Sequence, residues 1–226
     1  MQALRINART PFCDCPDHSR KIGNVITANQ TTLAVLAGGE STRMGSPKEQ
    51  MTVAGQPVLV HILQTLQWPG PTMLITSPGH RHPTGHDRFN LEATDPIAGV
   101  GPLRGILTAL ENATTEHVLI TTVDMPALHT DMLQFLIDQM SKIPTVDGMM
   151  LTRVIDAKNR IEPFPSLFHC RSKPAVETAL TQNRRSVHGL IDEVRFTTVQ
   201  SPQTWPPRHW TNLNTPEDLN QFHRGL

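Results

Sequence analysis

The feature that most limits the fold of this chain is a short apolar run, Thr32 to Ala37, that stops against Gly38 and Gly39. Leu33, Val35 and Leu36 give it no polar face. A strand of that kind must be covered on both sides, as in the parallel sheet of an α/β protein. Downstream, helix and strand signals alternate. Pro57 to Gln67 sets Val58, Ile62, Leu63 and Leu66 on one helical face, and Thr72 to Thr76 is a second apolar run between prolines. Leu91 to Thr94 reads as a short strand, Leu103 to Glu111 as a helix, His117 to Val123 as a strand, and about Leu128 to Met140 as a helix. This order predicts an α/β, Rossmann-like, doubly wound and mostly parallel sheet in three αβα layers. Later segments read as strands at Asp147 to Val154, Pro165 to His169 and Phe196 to Gln200. Helices are expected at Lys173 to Gln182 and Ser186 to Glu193, and Pro216 opens a last one.

At 226 residues the chain suits one domain. Residues 1–30 lack apolar periodicity and read as a flexible extension, which leaves 31–226 as the domain. Lysine plus arginine equals aspartate plus glutamate, at 20 each. No global field then attracts nucleic acid or an anionic membrane, so an anion site must be built locally. No bilayer-spanning run or signal core is apparent, and a cytoplasmic setting is expected. Cys13, Cys15 and Cys170 make a poor disulfide framework and fit a reducing compartment; Cys13 and Cys15, with Asp14, Asp17 and His18, read as a polar tail rather than a metal site.

The stretch from Leu36 through Ala37, Gly38, Gly39 and Arg43 to Lys48 leaves the carboxyl end of the first strand, where α/β sheets bind ligands. Paired glycines let backbone N–H groups approach phosphate oxygens, and Arg43 and Lys48 add positive charge. A tight turn followed by ordinary surface cations is the plainer account of the same residues. Lys48 follows Pro47 and precedes Glu49, so the loop is not G-x-x-x-x-G-K-[ST]; G-x-G-x-x-G is also missing after the first strand. Asp124 ends the strand His117 to Val123 on the same sheet edge, where a carboxylate can hold a hard cation. Helix capping is the alternative. His80, His82 and His86 sit in a Pro- and Gly-containing loop without helical spacing and read as solvated.

Taken in order, Leu36-Ala37-Gly38-Gly39-Glu40-Ser41-Thr42-Arg43-Met44-Gly45-Ser46-Pro47-Lys48 resembles the L-A-G-G-x-S-x-R-M-G-x-x-K signature of the molybdenum cofactor guanylyltransferases and their relatives. Further agreement lies at Gly55-Gln56-Pro57-Val58-Leu59, Gly101-Pro102-Leu103, Val123-Asp124-Met125-Pro126, Asn183-Arg184-Arg185-Ser186-Val187 and Asn214-Thr215-Pro216. The resemblance implies a nucleotide-diphospho-sugar transferase-like fold and transfer of GMP from GTP to the phosphate of molybdopterin, with Mg2+ as cofactor and pyrophosphate released. It implies nucleotide contacts from Leu36, Ala37, Gly38, Gly39, Lys48, Asp95 and Asp124. Arg43, Lys48 and Asp124 would stabilise the reacting phosphates, and Asp124 would bind the metal. Asn214 is either a second metal ligand or an N-cap. Arg184 and Arg185 either meet the acceptor phosphate or complement a helix end, and Arg104 replaces the family's alanine. Transient contact with molybdopterin-supplying proteins or molybdoenzymes would follow. Cytidylyl or sugar-phosphate nucleotidyl transfer on the same fold, and a nucleotide-binding regulator without turnover, are the competing functions.

Overall fold

The computed structural model describes residues 25–38, 48–193 and 195–224. The expected extension up to residue 24, with Cys13 and Cys15, and the loop positions Gly39 and Arg43 lie outside the described residues. Ile26 and Ala28 already pack against the core, and the Ile26 N–H donates to Ser141 Oγ (3.2 Å).

A seven-stranded sheet forms the middle layer. Its strands are β1 (Thr31–Leu36), β4 (Thr72–Thr76), β5 (Leu91–Thr94), β6 (His117–Thr122), β7 (Gly148–Ile155), β8 (Lys158–His169) and β9 (Phe196–Gln200). A two-stranded ribbon, β2 (Thr52–Val53) and β3 (Gln56–Pro57), stands apart from it. The strand order is β5-β4-β1-β6-β8-β7-β9, and only β8 runs against its neighbours. Leu33, Ala34 and Val35 are fully buried and Leu36 nearly so, as an all-apolar strand in a doubly covered sheet requires.

Helices α1 (Val58–Leu66), α2 (Pro102–Asn112), α3 (Thr130–Ser141), α4 (Lys173–Thr181) and α5 (Pro216–Arg224) follow the strands. α1 and α3 cover one face, where Leu59, Ile62, Leu133 and Leu136 meet Leu33, Val35, Leu74 and Leu119. α2 and α4 cover the other, where Ile106, Leu110 and Val176 meet Ala34, Met73, Ile120 and Phe168. Alternate strand residues thus feed two cores, and each fully buried leucine or isoleucine contributes about 1.5–3 kcal/mol. The three-layer α/β architecture expected from the sequence is the one observed.

Three local expectations are corrected. β8 begins at Lys158, not Pro165, because its polar first half is held by pairing with β7 rather than by burial. Ser186 to Glu193 is a 3-10 turn over Val187–Asp192, since a six-residue segment containing Gly189 has too few turns to sustain an α-helix. Cys170 is disulfide-bonded, where the odd count and spacing favoured free thiols.

Candidate nucleotide and metal site

At the carboxyl edge of the sheet, β1 delivers Leu36, Ala37 and Gly38. The Ala37 N–H donates to the Ile75 carbonyl (2.8 Å), which locks the strand end against β4. A Cβ on Gly38 would lie 2.3 Å from Ser77 Oγ and 3.2 Å from the Ser77 nitrogen, so this position is closed to a side chain without rearrangement. On the other flank the Val123 N–H donates to the Leu36 carbonyl (3.0 Å) and sets the turn after β6 beside the glycine.

That turn carries Asp124. The Thr122 hydroxyl donates to Asp124 Oδ1 (2.5 Å), leaving Oδ2 to face the Lys48 ammonium at 2.7 Å. Asn214 Oδ1 accepts from the same ammonium, also at 2.7 Å. Asn214 arrives there because the Leu213 N–H donates to the Asp124 carbonyl (2.8 Å). Its own N–H and that of Thr215 both donate to Asp218 Oδ2, at 2.9 and 2.8 Å, while the Asp218 N–H donates back to Thr215 Oγ1 (3.2 Å). This reciprocal capping at the start of α5 satisfies orphan amides of the first turn. The hydrogen bond from the Asn214 backbone is the main cause holding the Asp218 carboxyl below its ordinary pKa.

Lys48 and Asp124 are each 20% exposed, intermediate between a surface pair and a core pair, so solvent reaches the ions while the walls limit screening. A cavity of ≈ 290 Å³ opens over them, lined by Leu36, Ala37, Gly38, Lys48, Asp124 and Phe164 among others. Phe164 comes from the middle of β8, level with the end of β6. Of the residues predicted from sequence, Leu36, Ala37, Gly38, Lys48, Asp124 and Asn214 are therefore brought together. Thr122, Phe164, Asn212 and Asp218 were not singled out; a threonine two positions before a strand-end aspartate, and Thr-x-x-Asp ahead of a helix, were the available signals.

Asp95 stands at the end of β5, two strands from β1 on the same edge, with its N–H donating to the Thr76 carbonyl (2.8 Å). It does not line the cavity. A Cβ on Gly105 would lie 3.2 Å from Leu36 Cδ2 and 3.7 Å from Asp95 Oδ2, so the two residues flank one point on α2. Burial raises the Asp95 pKa against the opposing Thr108 hydroxyl and Arg104 charge, and its Oδ1 is buried without a hydrogen-bond partner among the described residues. Arg104 is tied to Glu111 (2.6 Å) and Thr108 (3.1 Å). Arg184 pairs with Glu193, whereas Arg185 lies beside Gly101 at the start of α2.

Residues 33–195 match the model of the MobA-like NTP transferase domain. The chain belongs to that family. Among curated relatives, the molybdenum cofactor guanylyltransferase of Photobacterium profundum is 28% identical over 202 residues, covering 88% of this chain and 99% of the relative. The probable molybdenum cofactor guanylyltransferase of Bacillus licheniformis is 28% identical, over 83% of this chain and 94% of its own length. Two solved structures share the fold. Molybdopterin-guanine dinucleotide biosynthesis protein A from Archaeoglobus fulgidus superposes with TM-score 0.68 at 21% identity, covering 85% and 97% of the two chains. The 2-C-methyl-D-erythritol 4-phosphate cytidylyltransferase of Thermus thermophilus gives 0.65 at 14%, covering 84% and 96%.

Proposed function

We propose that the protein transfers GMP from GTP to the phosphate of molybdopterin and releases pyrophosphate. The observation that carries this reading is the meeting of Lys48, Asp124 and Asn214 at one point beneath the Gly38 cavity. Membership of the MobA-like family and the names of the curated relatives select the guanylyl reaction from those such a site can run.

Two oxygens, one anionic and one neutral, converge on the Lys48 ammonium, which marks the place where a positive charge is stabilised. That donor set suits Mg2+, a hard cation that takes oxygen ligands. When bound, the ion would neutralise triphosphate charge. Asp124 and Asn214 would hold it, with Thr122 fixing the carboxylate and Asp218 fixing the asparagine. Lys48 would present its ammonium to the triphosphate, and the Gly38 amide would supply a donor with no side chain in the way. An acceptor phosphate oxygen bonds to the α-phosphorus of GTP as the bond to the β-phosphate oxygen breaks and pyrophosphate leaves. No covalent link to the protein is needed, so alignment supplies most of the rate. Asp95, roughly 10 Å along the sheet edge by strand spacing, is assigned to ribose hydroxyls or the guanine edge on its motif position alone. Gly39 and Arg43 are assigned to the phosphates on the motif alone.

The decisive experiment incubates purified protein with Mg2+, molybdopterin and GTP, CTP or UTP in turn, and identifies the product. A guanine dinucleotide from GTP alone is expected. A cytosine dinucleotide would move the protein to the cytidylyl reading, for which the shared fold of the Thermus neighbour speaks. No pyrophosphate from any triphosphate would leave a binding-only regulator. No helix among the described residues is long and apolar enough to cross a membrane. Cytoplasmic residence and brief contact with molybdopterin suppliers or molybdoenzymes belong to this same proposal.

A further inference from the structure

The loop from β4 to β5 carries three histidines that the nucleotide site does not use. His80 Nδ1 meets Glu49 Oε1 at 2.8 Å. The other two gather around Glu92, a residue of the edge strand β5. The His82 backbone N–H donates to Glu92 Oε1 (2.9 Å) and its ring Nδ1 stands 2.8 Å from Oε2, so one residue grips both carboxylate oxygens. To do so His82 adopts φ 57, in the left-handed region that a histidine seldom occupies. His86 Nδ1 lies 3.1 Å from the Pro83 carbonyl. A carbonyl only accepts, so Nδ1 is the donor, and Nε2 is the nitrogen left to ligate a metal when the ring is neutral. The two imidazole centroids are 4.8 Å apart.

We propose that His82, His86 and Glu92 form a site for a divalent transition metal of the zinc class, distinct from the magnesium position at Asp124. One ligand atom from each of the three lies within 4.8 Å of the others. Ligands about 2.0–2.2 Å from a shared ion sit some 3.3–3.5 Å apart, so a contraction of an ångström or so, by side-chain rotation in an exposed loop, closes the site. Two imidazole nitrogens and one carboxylate select zinc, cobalt or nickel over magnesium or calcium, and a fourth position is left for water. Both Glu92 oxygens already face the His82 backbone and ring, so the carboxyl is oriented into the cluster. The imidazole hydrogen bonded to the Pro83 carbonyl is the arrangement that orients a metal-binding histidine. A plain ion pair accounts for His82 and Glu92, but it gives no reason for a second imidazole with a directed lone pair. Binding displaces the proton between His82 Nδ1 and Glu92 Oε2 and staples the loop to the exposed sheet edge.

The test uses full-length protein stripped with chelator and held in millimolar Mg2+ to occupy the oxygen-donor site. Co2+ is titrated in and followed by visible absorption and calorimetry. One Co2+ bound per chain is expected, with proton release, no thiolate charge-transfer band, and displacement by Zn2+. His86→Ala and Glu92→Gln are expected to weaken binding by roughly tenfold or more, as loss of a ligand or of its orienting partner does. His80→Ala, outside the cluster, should leave it unchanged. If a variant is less stable without metal, the Zn2+-induced rise in Tm is compared instead, and it should vanish in the variant and persist in His80→Ala. No micromolar binding by the wild-type chain, or unchanged affinity in His86→Ala and Glu92→Gln, overturns the proposal.

Discussion

The ammonium of Lys48 stands 2.7 Å from Asp124 Oδ2, a contact that joins the end of the glycine-rich segment to the turn after β6 across 76 residues of sequence. In the protein alone this is an ion pair; in the proposed reaction a triphosphate and a cation would engage the same two charges separately. Asp124→Ala is therefore expected to reduce turnover at least about 10²–10³-fold, the loss typical of removing one directed electrostatic group. Lys48→Ala should fall similarly. Because the pair is partly solvated, its contribution to stability is small, and urea midpoints should shift little. Steady-state kinetics and a denaturation curve on each variant check this; near-normal turnover in Asp124→Ala would remove the carboxylate from the mechanism.

Asp218 does not line the cavity, yet it holds the Asn214 and Thr215 amides. Asp218→Ala should free the Asn214 side chain from its place beside Lys48. The expected signature is a higher half-saturating Mg2+ concentration with a smaller change in kcat at saturating metal. Asp218→Asn keeps an oxygen acceptor and should recover most of the loss. An Mg2+ dependence identical to wild type in Asp218→Ala would show that the cap does not position the ligand.

The pattern of these contacts explains what the sequence could disclose. Leu33 to Leu36 announced a doubly covered strand because every residue in it is apolar, and Asp124 and Lys48 stood out by motif and strand end. Asn214 stayed ambiguous between cap and ligand because its meeting with Lys48 spans 166 residues, and no local pattern encodes that distance. The outer half of β8 was invisible for a different reason: Lys158, Asn159 and Arg160 are exposed and gain strand structure from pairing with Val154, Arg153 and their neighbours, so no alternation appears. The contacts of His82 with Glu92 were hidden in the same way, since Glu92 comes from the next strand.

His117 and His169 face each other across β6 and β8 with ring centroids 4.8 Å apart. Burial, with the charges of His169 and Arg171, lowers His117 to about 3; burial, with Arg171 and Arg195, lowers His169 to about 4. Both are neutral in the folded protein at pH 5, whereas an unfolded histidine with a pKa near 6.5 takes up a proton. The unfolded state thus binds more protons below that value, and stability is full above about pH 6.5 and falls as pH drops toward 3–4. The slope approaches roughly 1.4 kcal/mol per pH unit for each histidine before coupling between them is allowed for. Urea unfolding at pH 7, 6 and 5 measures it, and His117→Gln should flatten the curve; equal slopes in the two proteins would deny the pair its role.

Gly148 opens β7 against the aromatic pair Phe168 and Phe196, whose centroids are 6.0 Å apart. A Cβ there would come within 2.4 Å of Phe196 Cε1, 2.6 Å of its Cδ1 and 3.4 Å of Phe168 Cδ1. Phe168 is fully buried and Phe196 nearly so, leaving the rings no solvent side to swing into. Gly148→Ala should then destabilise by about 1–3 kcal/mol through overpacking, despite the gain in strand propensity and the lower entropy of the unfolded chain. Pairing it with Phe196→Leu removes the clashing ring edge, so the double variant should be more stable than the sum of the single changes predicts. Denaturant midpoints for the four proteins of that cycle give the coupling directly. Strict additivity would mean that the strand end relaxes by backbone movement, and that β7 and β9 are less firmly registered than Gly148 opposite Phe196 implies.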